Sequence, residues 1–153
     1  MNKFLFSIII SLSTIGLINA TTLYFQYQQY INSAQPIMCF VGNSCVSVLD
    51  SKYGKTFGIK NEIFGIGYYL LLIGLVIVTY FNKLRKINHR LIIKVLSIGA
   101  ASFSLYLLGI QEFVLHQFCF RCLIAIAINM TLLVATLWIK SDYSSHNSNF
   151  SSI

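Results

Sequence analysis

Carboxylates are almost missing from this chain. Asp and Glu number 4 in 153 residues, and charged residues of all types make up 10%. With 56% hydrophobic residues, a chain of this size cannot hide its apolar surface in a water-soluble core, so the shortage of charge excludes an ordinary soluble domain. Strict apolar–polar alternation, the mark of a barrel strand, is also missing, which leaves helices as the way to satisfy backbone groups in lipid. There is no internal repeat. The one low-complexity tract is a polar tail from Ser141, and no soluble module is expected after the last apolar run. The expected organisation is one four-helix membrane domain over 1–140 and a disordered tail over 141–153.

What is there is four apolar stretches, Phe4–Phe25, Ile63–Phe81, Leu91–Leu115 and Cys119–Ile139. Each is long enough to cross a hydrocarbon core of roughly 30 Å as a helix. The fold class read from them is an all-α, four-transmembrane-helix bundle with a long extracytoplasmic loop. Lys3 ahead of the first run and Asn19-Ala20 within it fit a cleaved signal, but the run continues through Leu23, Tyr24 and Phe25, which suits a span. Lys83, Arg85, Lys86, Arg90 and Lys94 crowd the second connection, so that side is cytoplasmic, with both termini. The Tyr24–Glu62 loop and the His116–Phe118 turn then face outside. The net charge of +7 reads as a topology signal with attraction to anionic membrane lipid, not as a nucleic-acid-binding surface. Lys52, Lys55 and Lys60 in the outer loop are expected on a solvated face, offset by Asp50 and Glu62.

An outer loop of about 40 residues exceeds an ordinary helix connection. Pro36 breaks structure ahead of Cys39, and Val46, Leu49 and Tyr53 recur at helical spacing until Gly54. This predicts a short interfacial helix, its apolar side on the bundle or the lipid and its Ser47, Asp50 and Lys52 side in water.

The four cysteines form two pairs on the outer side, Cys39 with Cys45 and Cys119 with Cys122. Cys119 and Cys122 are three apart at the start of the fourth span, where one helical face brings both thiols within disulfide reach. A helix N-terminus and the neighbouring Arg121 favour a thiolate there. In chemical terms, an exposed pair and a membrane-edge pair exchange electrons through a mixed disulfide, the outer pair meeting a soluble partner and the inner pair a hydrophobic acceptor such as a quinone. The same cysteines could instead be buried groups that only pack, two static disulfides, or a zinc site of four thiolates or of three with His116.

Several stretches together resemble the vitamin K epoxide reductase family: Cys45 followed by Ser51, then Tyr53-Gly54-Lys55-Thr56-Phe57-Gly58, Asn61-Glu62-Ile63-Phe64-Gly65, and Phe118-Cys119-Phe120-Arg121-Cys122. The CxxC pair comes second in the chain, as in that family. The resemblance implies that Cys119 and Cys122 are the active site beside the quinone, with Cys122 the thiol that reacts with it. It also implies that Cys39 and Cys45 are the loop pair, that Ser51 assists that pair, and that Asn61 hydrogen-bonds a quinone carbonyl. Phe64, Tyr68 and Phe118 are expected to wall the quinone, either ubiquinone or menaquinone. The implied partner is a separate thioredoxin-fold oxidant on the extracytoplasmic side, which the chain reoxidises in support of disulfide formation.

Ile126 stands where the animal enzymes have Tyr, which weighs against vitamin K epoxide reduction, with Tyr68, Tyr69 or His116 as substitute polar contacts. A quinone reductase whose useful product is the hydroquinone would keep the same fold and cysteines. A non-catalytic Cys-linked or metal-binding membrane protein would keep the fold without turnover. Glu112, inside the third span, is a candidate for proton transfer. The glycosylation-type triplets at Asn19, Asn129 and Asn149 fall in membrane or cytoplasm and read as chance.

Overall fold

The computed structural model describes residues 3–33, 44–81 and 89–138. Cys39, Pro36, the tail 141–153 and most of the basic second connection lie outside those residues. Four helices are long and apolar enough to cross a membrane: α1 (Lys3–Ser33), α3 (Asn61–Phe81), α4 (His89–Ile110) with its continuation Gln111–Leu115, and α5 (Phe120–Leu137). Between α1 and α3 lie a short helix α2 of about two turns (Ser44–Asp50), a 3-10 turn Lys52–Gly54, and a small hairpin of β1 (Lys55–Thr56) and β2 (Ile59–Lys60). The protein is an all-α integral membrane bundle, as its apolar runs require.

Each long helix buries one stripe. On α1 the buried positions are Ile9, Ser13, Gly16, Asn19, Ala20, Leu23 and Tyr27; on α4 they include Ile93, Ser97, Ala101 and Ser104. Steps of three and four residues keep these on one helical face. The outward faces are apolar too, with Leu70, Leu71, Ile77 and Val78 of α3 exposed, as a lipid-facing surface should be. Small residues allow close approach where α1 meets α3: a Cβ added to Gly16 would overlap the Tyr69 ring. Polar side chains inside the bundle find partners across helices. Tyr69 Oη donates to Asn129 Oδ1 (2.9 Å), and Asn129 Nδ2 donates to Ser104 Oγ (2.8 Å), linking α3, α5 and α4. The α1–α3, α4–α5 and α1–α5 seams are extensive and the α3–α4 seam is slight. Gly99 of α4 faces open space.

α1 runs two turns past Phe25, where the apolar run ends. At 1.5 Å per residue its 31 residues reach roughly 46 Å, beyond the hydrocarbon core. Tyr27 and Tyr30 continue its buried stripe outside the membrane, packing with Leu23 against Val48 and Leu49 of α2. Tyr27 Oη also donates to Asp50 Oδ1 (3.0 Å). The expected interfacial helix is therefore present and presses on the bundle, with Asp50 and Lys52 outward.

This helix is shorter than its spacing predicts. It stops at Asp50 because Ser51 turns extended (φ −62°, ψ 159°) and its hydroxyl donates to the Val48 carbonyl (2.7 Å). Gly54 then closes the 3-10 turn, its N–H donating to Ser51 O (3.0 Å), and a Cβ at Gly54 would collide with the Leu49 carbonyl. The hairpin turns through Phe57 and Gly58, both at positive φ (53° and 80°), which matches the right-handed twist of paired strands.

Candidate redox site and cavity

The fourth span begins one residue later than its apolar run. Cys119 is extended (φ −89°, ψ 109°) and serves as the N-cap of α5, its Sγ accepting the Cys122 N–H at 3.4 Å. Cys122 Sγ lies 2.7 Å from Cys119 Sγ and donates to it. Both thiols are free, and so short a gap needs little motion to become a disulfide bond of about 2.05 Å. The Cys122 S–H is the largest influence holding the Cys119 thiol below the usual cysteine range. The Cys122 and Arg121 backbone N–H groups act the same way, against burial. The thiolate preference expected of a helix N-terminus is therefore carried mainly by the partner thiol.

The segment ahead of Cys119 is built to hold it. α4 passes into a single π-helical stretch, Gln111–Leu115, which His116 ends in the left-handed region (φ 49°) while its N–H bonds back to Gln111 O. A π turn displaces side chains relative to α spacing and often marks a functional site. Here it aims Gln111 inward, only 2% exposed, where Oε1 accepts the Cys119 N–H at 2.9 Å. From α1, Asn19 Nδ2 donates to the Arg121 carbonyl (3.1 Å), tying the first turn of α5 to the first helix.

Beside the CxxC pair is a cavity of about 430 Å³, bounded by α1, α2, the 3-10 turn and the four-helix core. Cys122 lines it, whereas Cys119 is fully buried behind it in an apolar cluster with Leu23, Tyr27, Cys45, Val48 and Leu49. Cys45 is disulfide-bonded and fully buried. Cys45 and the CxxC pair thus share one packed cluster at one end of the bundle. Cys39 lies outside the described residues.

Of the residues singled out in the sequence, Ser51, Asn61, Phe64 and Tyr68 line the cavity. Ser51 has its hydroxyl committed to Val48 O. Asn61 Oδ1 accepts from Thr56 Oγ1 (2.7 Å) and its Nδ2 donates to Tyr53 O (2.8 Å), so among the described residues one amide hydrogen is left for a ligand. Tyr68 Oη is buried with no hydrogen-bond partner among the described residues, near Ser97 of α4. Phe118 is 45% exposed and is not part of the lining. Glu112 is exposed and stands away from the cavity, and His116 caps the π turn. Ile126 does line it, placing an aliphatic group at that point of the wall.

Gln111, to which sequence reasoning gave no role, Glu62, which it read only as a counter-charge, and the polar patch around Tyr69, one of its substitute contacts, complete the site. Gln111 bridges cavity and CxxC. Glu62, 7% exposed, lines the cavity with Oε2 unpartnered among the described residues. Tyr69, Asn129 and Ser104 form the bonded polar patch at the cavity wall. Glu62 carried a signal, a carboxylate in the first turn of a span directly after Asn61, which its reading as a surface counter-charge obscured.

The cavity suits a flat, largely apolar ring bearing a few acceptors. Most of its wall is aliphatic or aromatic, its volume is in the range of small-molecule sites, and Asn61, Tyr68 and Glu62 add a few polar groups to the wall that Cys122 also lines. A quinone head group meets that description. The sequence model of the vitamin K epoxide reductase family matches residues 7–137. No curated protein matches the chain.

Proposed function

Because the chain belongs to the vitamin K epoxide reductase family, whose members are quinone-linked thiol oxidoreductases of the membrane, we propose that it reoxidises a separate thioredoxin-fold protein and passes the electrons to a membrane quinone. The observation that carries the proposal is Cys122 opening onto an apolar cavity with its sulfur 2.7 Å from that of Cys119.

In this reading a partner thiolate attacks the Cys39–Cys45 disulfide, and the partner leaves oxidised while the loop pair becomes a dithiol. A loop thiolate then attacks a Cys119–Cys122 disulfide, and resolution leaves the loop pair oxidised and the CxxC pair reduced. Quinone supplies the acceptor for the two electrons and two protons that the CxxC pair releases on closing again. The packing of Cys45 and Cys119 in one cluster supports the middle exchange, which needs the two pairs close together. Gln111 and Asn19 hold the start of α5 so that Cys119 keeps its depressed thiol pKa. Asn61 offers its free amide hydrogen to a carbonyl, and Phe64 and Tyr68 flank the ring. Ubiquinone and menaquinone both fit this description. Ile126 in the wall supports ordinary quinone reduction over epoxide reduction.

The test is quinone reduction followed by absorbance, using purified protein in detergent and a reduced thioredoxin-fold donor. Cys119→Ala should abolish turnover with any donor. Cys39→Ala should abolish it with the protein donor and regain it when a small dithiol replaces that donor. Absence of turnover by the wild-type protein with both ubiquinone and menaquinone analogues would overturn the proposal.

A further inference from the structure

The chain places one carboxylate where the cost of burial is hard to explain by packing. Glu62 sits in the first turn of α3, is 7% exposed, and lines the cavity together with Cys122. Its Oε2 accepts no hydrogen bond among the described residues, and a buried carboxylate oxygen without a partner is costly for a membrane protein to hold. It follows Asn61 directly, so the proposed carbonyl donor and the carboxyl border the same end of the cavity. Its charge is felt at both thiols of the CxxC pair.

We propose that Glu62 is a catalytic proton relay, taking up a proton released as Cys119 and Cys122 close their disulfide and delivering it to a quinone oxygen. This rests on the quinone-linked reading above and names a residue for a step that reading leaves unassigned. The balance is complete within the site. Two S–H bonds break and one S–S bond forms; the sulfur pair loses two electrons and two protons, and the quinone gains both and leaves as hydroquinone. Cys122 donates to Cys119 in the resting pair, so one proton is shared between the sulfurs until the bond forms. A carboxylate oxygen with no other partner among the described residues can hold that proton and pass it on, returning Glu62 to its starting state, ready to carry the second proton in the same way.

The groups that face Glu62 are consistent with a site that both accepts and releases a proton. Lys60 of β2 acts on it from the hairpin and lies 3.9 Å from the Tyr27 ring centroid of α1. Tyr27 in turn bonds Asp50 of α2. Arg121 and Cys122 of α5 share the cavity, Cys119 stands behind it, and Tyr68 and Tyr69 lie on its own helix. The α4 residues in the lining include no titratable side chain.

The experiment is single-turnover oxidation of the pre-reduced full-length protein by a short-chain ubiquinone or menaquinone, across pH and in heavy water. It uses wild type, Glu62→Gln, Glu62→Asp and, as a control away from the cavity, Glu112→Gln. Loss of a general acid–base group should slow this step by about 100-fold in Glu62→Gln. The same variant should lose one titration from the pH profile along with the solvent isotope effect, while Cys119 remains open to alkylation, with a midpoint no higher than in wild type. Glu62→Asp should recover part of the rate and keep the titration, and Glu112→Gln should match wild type. If Glu62→Gln does not fold, Glu62→Asp decides: an unchanged rate, profile and isotope effect despite the shortened side chain overturn the relay. Active wild type with Glu62→Gln within twofold and an unchanged profile overturns it directly. Wild type that reduces neither quinone removes the quinone reading itself, and the relay with it.

Discussion

At Cys119 the sulfur accepts from the Cys122 thiol and the first helical N–H groups, while its own backbone N–H is taken by Gln111. The thiolate should therefore form below the ordinary cysteine value of about 8.5. Alkylation of the reduced protein at Cys119, followed against pH, should show a midpoint under that value, moving upward in Cys122→Ala. Gln111→Leu leaves a buried N–H without its acceptor, a loss of about 1–3 kcal/mol that should appear in detergent-micelle unfolding. The closeness of Cys119 and Cys122 was legible in the sequence because a three-residue spacing at a helix start puts both thiols on one face, whereas the choice among its chemical uses was not. Gln111 and Glu62 were not, because facing inward depends on the π turn and on the start of α3, neither of which composition reveals. Glu112 drew attention by lying within an apolar run, yet it points outward, and the neighbouring Gln111 is the residue that faces the site.

At the scale of elements, the spans were legible because lipid imposes uniform apolarity, and their ends fell within a few residues of the helices. The last two turns of α1 were not. Tyr27 and Tyr30 are ordered by packing under α2, a tertiary contact with no local signature. The hairpin escaped for a related reason, since strands of two residues carry no periodicity, and only the Phe57-Gly58 turn marks them. Asn61 fastens that hairpin to α3 while lining the cavity, so roof and ligand contact share one side chain. Gly54→Ala drives a methyl group into the Leu49 carbonyl and should displace α2. The expected result is slower turnover with the protein donor and faster limited proteolysis between α1 and α3, with the four spans intact by circular dichroism.

Across the whole molecule, α2, the hairpin and the CxxC pair gather at one end of the bundle, and Lys3 and Trp138 lie at the other ends of α1 and α5. The basic second connection predicts that the cysteine end faces away from the cytoplasm. In a cysteine-free background, Phe57→Cys should react with a membrane-impermeant maleimide on sealed cells, and Trp138→Cys only after permeabilisation. The opposite pattern would invert the assigned topology.

The slight α3–α4 seam has a kinetic consequence. Phe64 and Tyr68 on one side of it and Val95, Gly99 and Phe103 on the other all border the cavity. A lipid-soluble substrate crossing there arrives from among acyl chains, so its effective concentration is a mole fraction in a two-dimensional solvent. Turnover should then obey surface dilution: adding detergent or lipid at constant total quinone lowers the rate, and restoring the quinone-to-amphiphile ratio restores it.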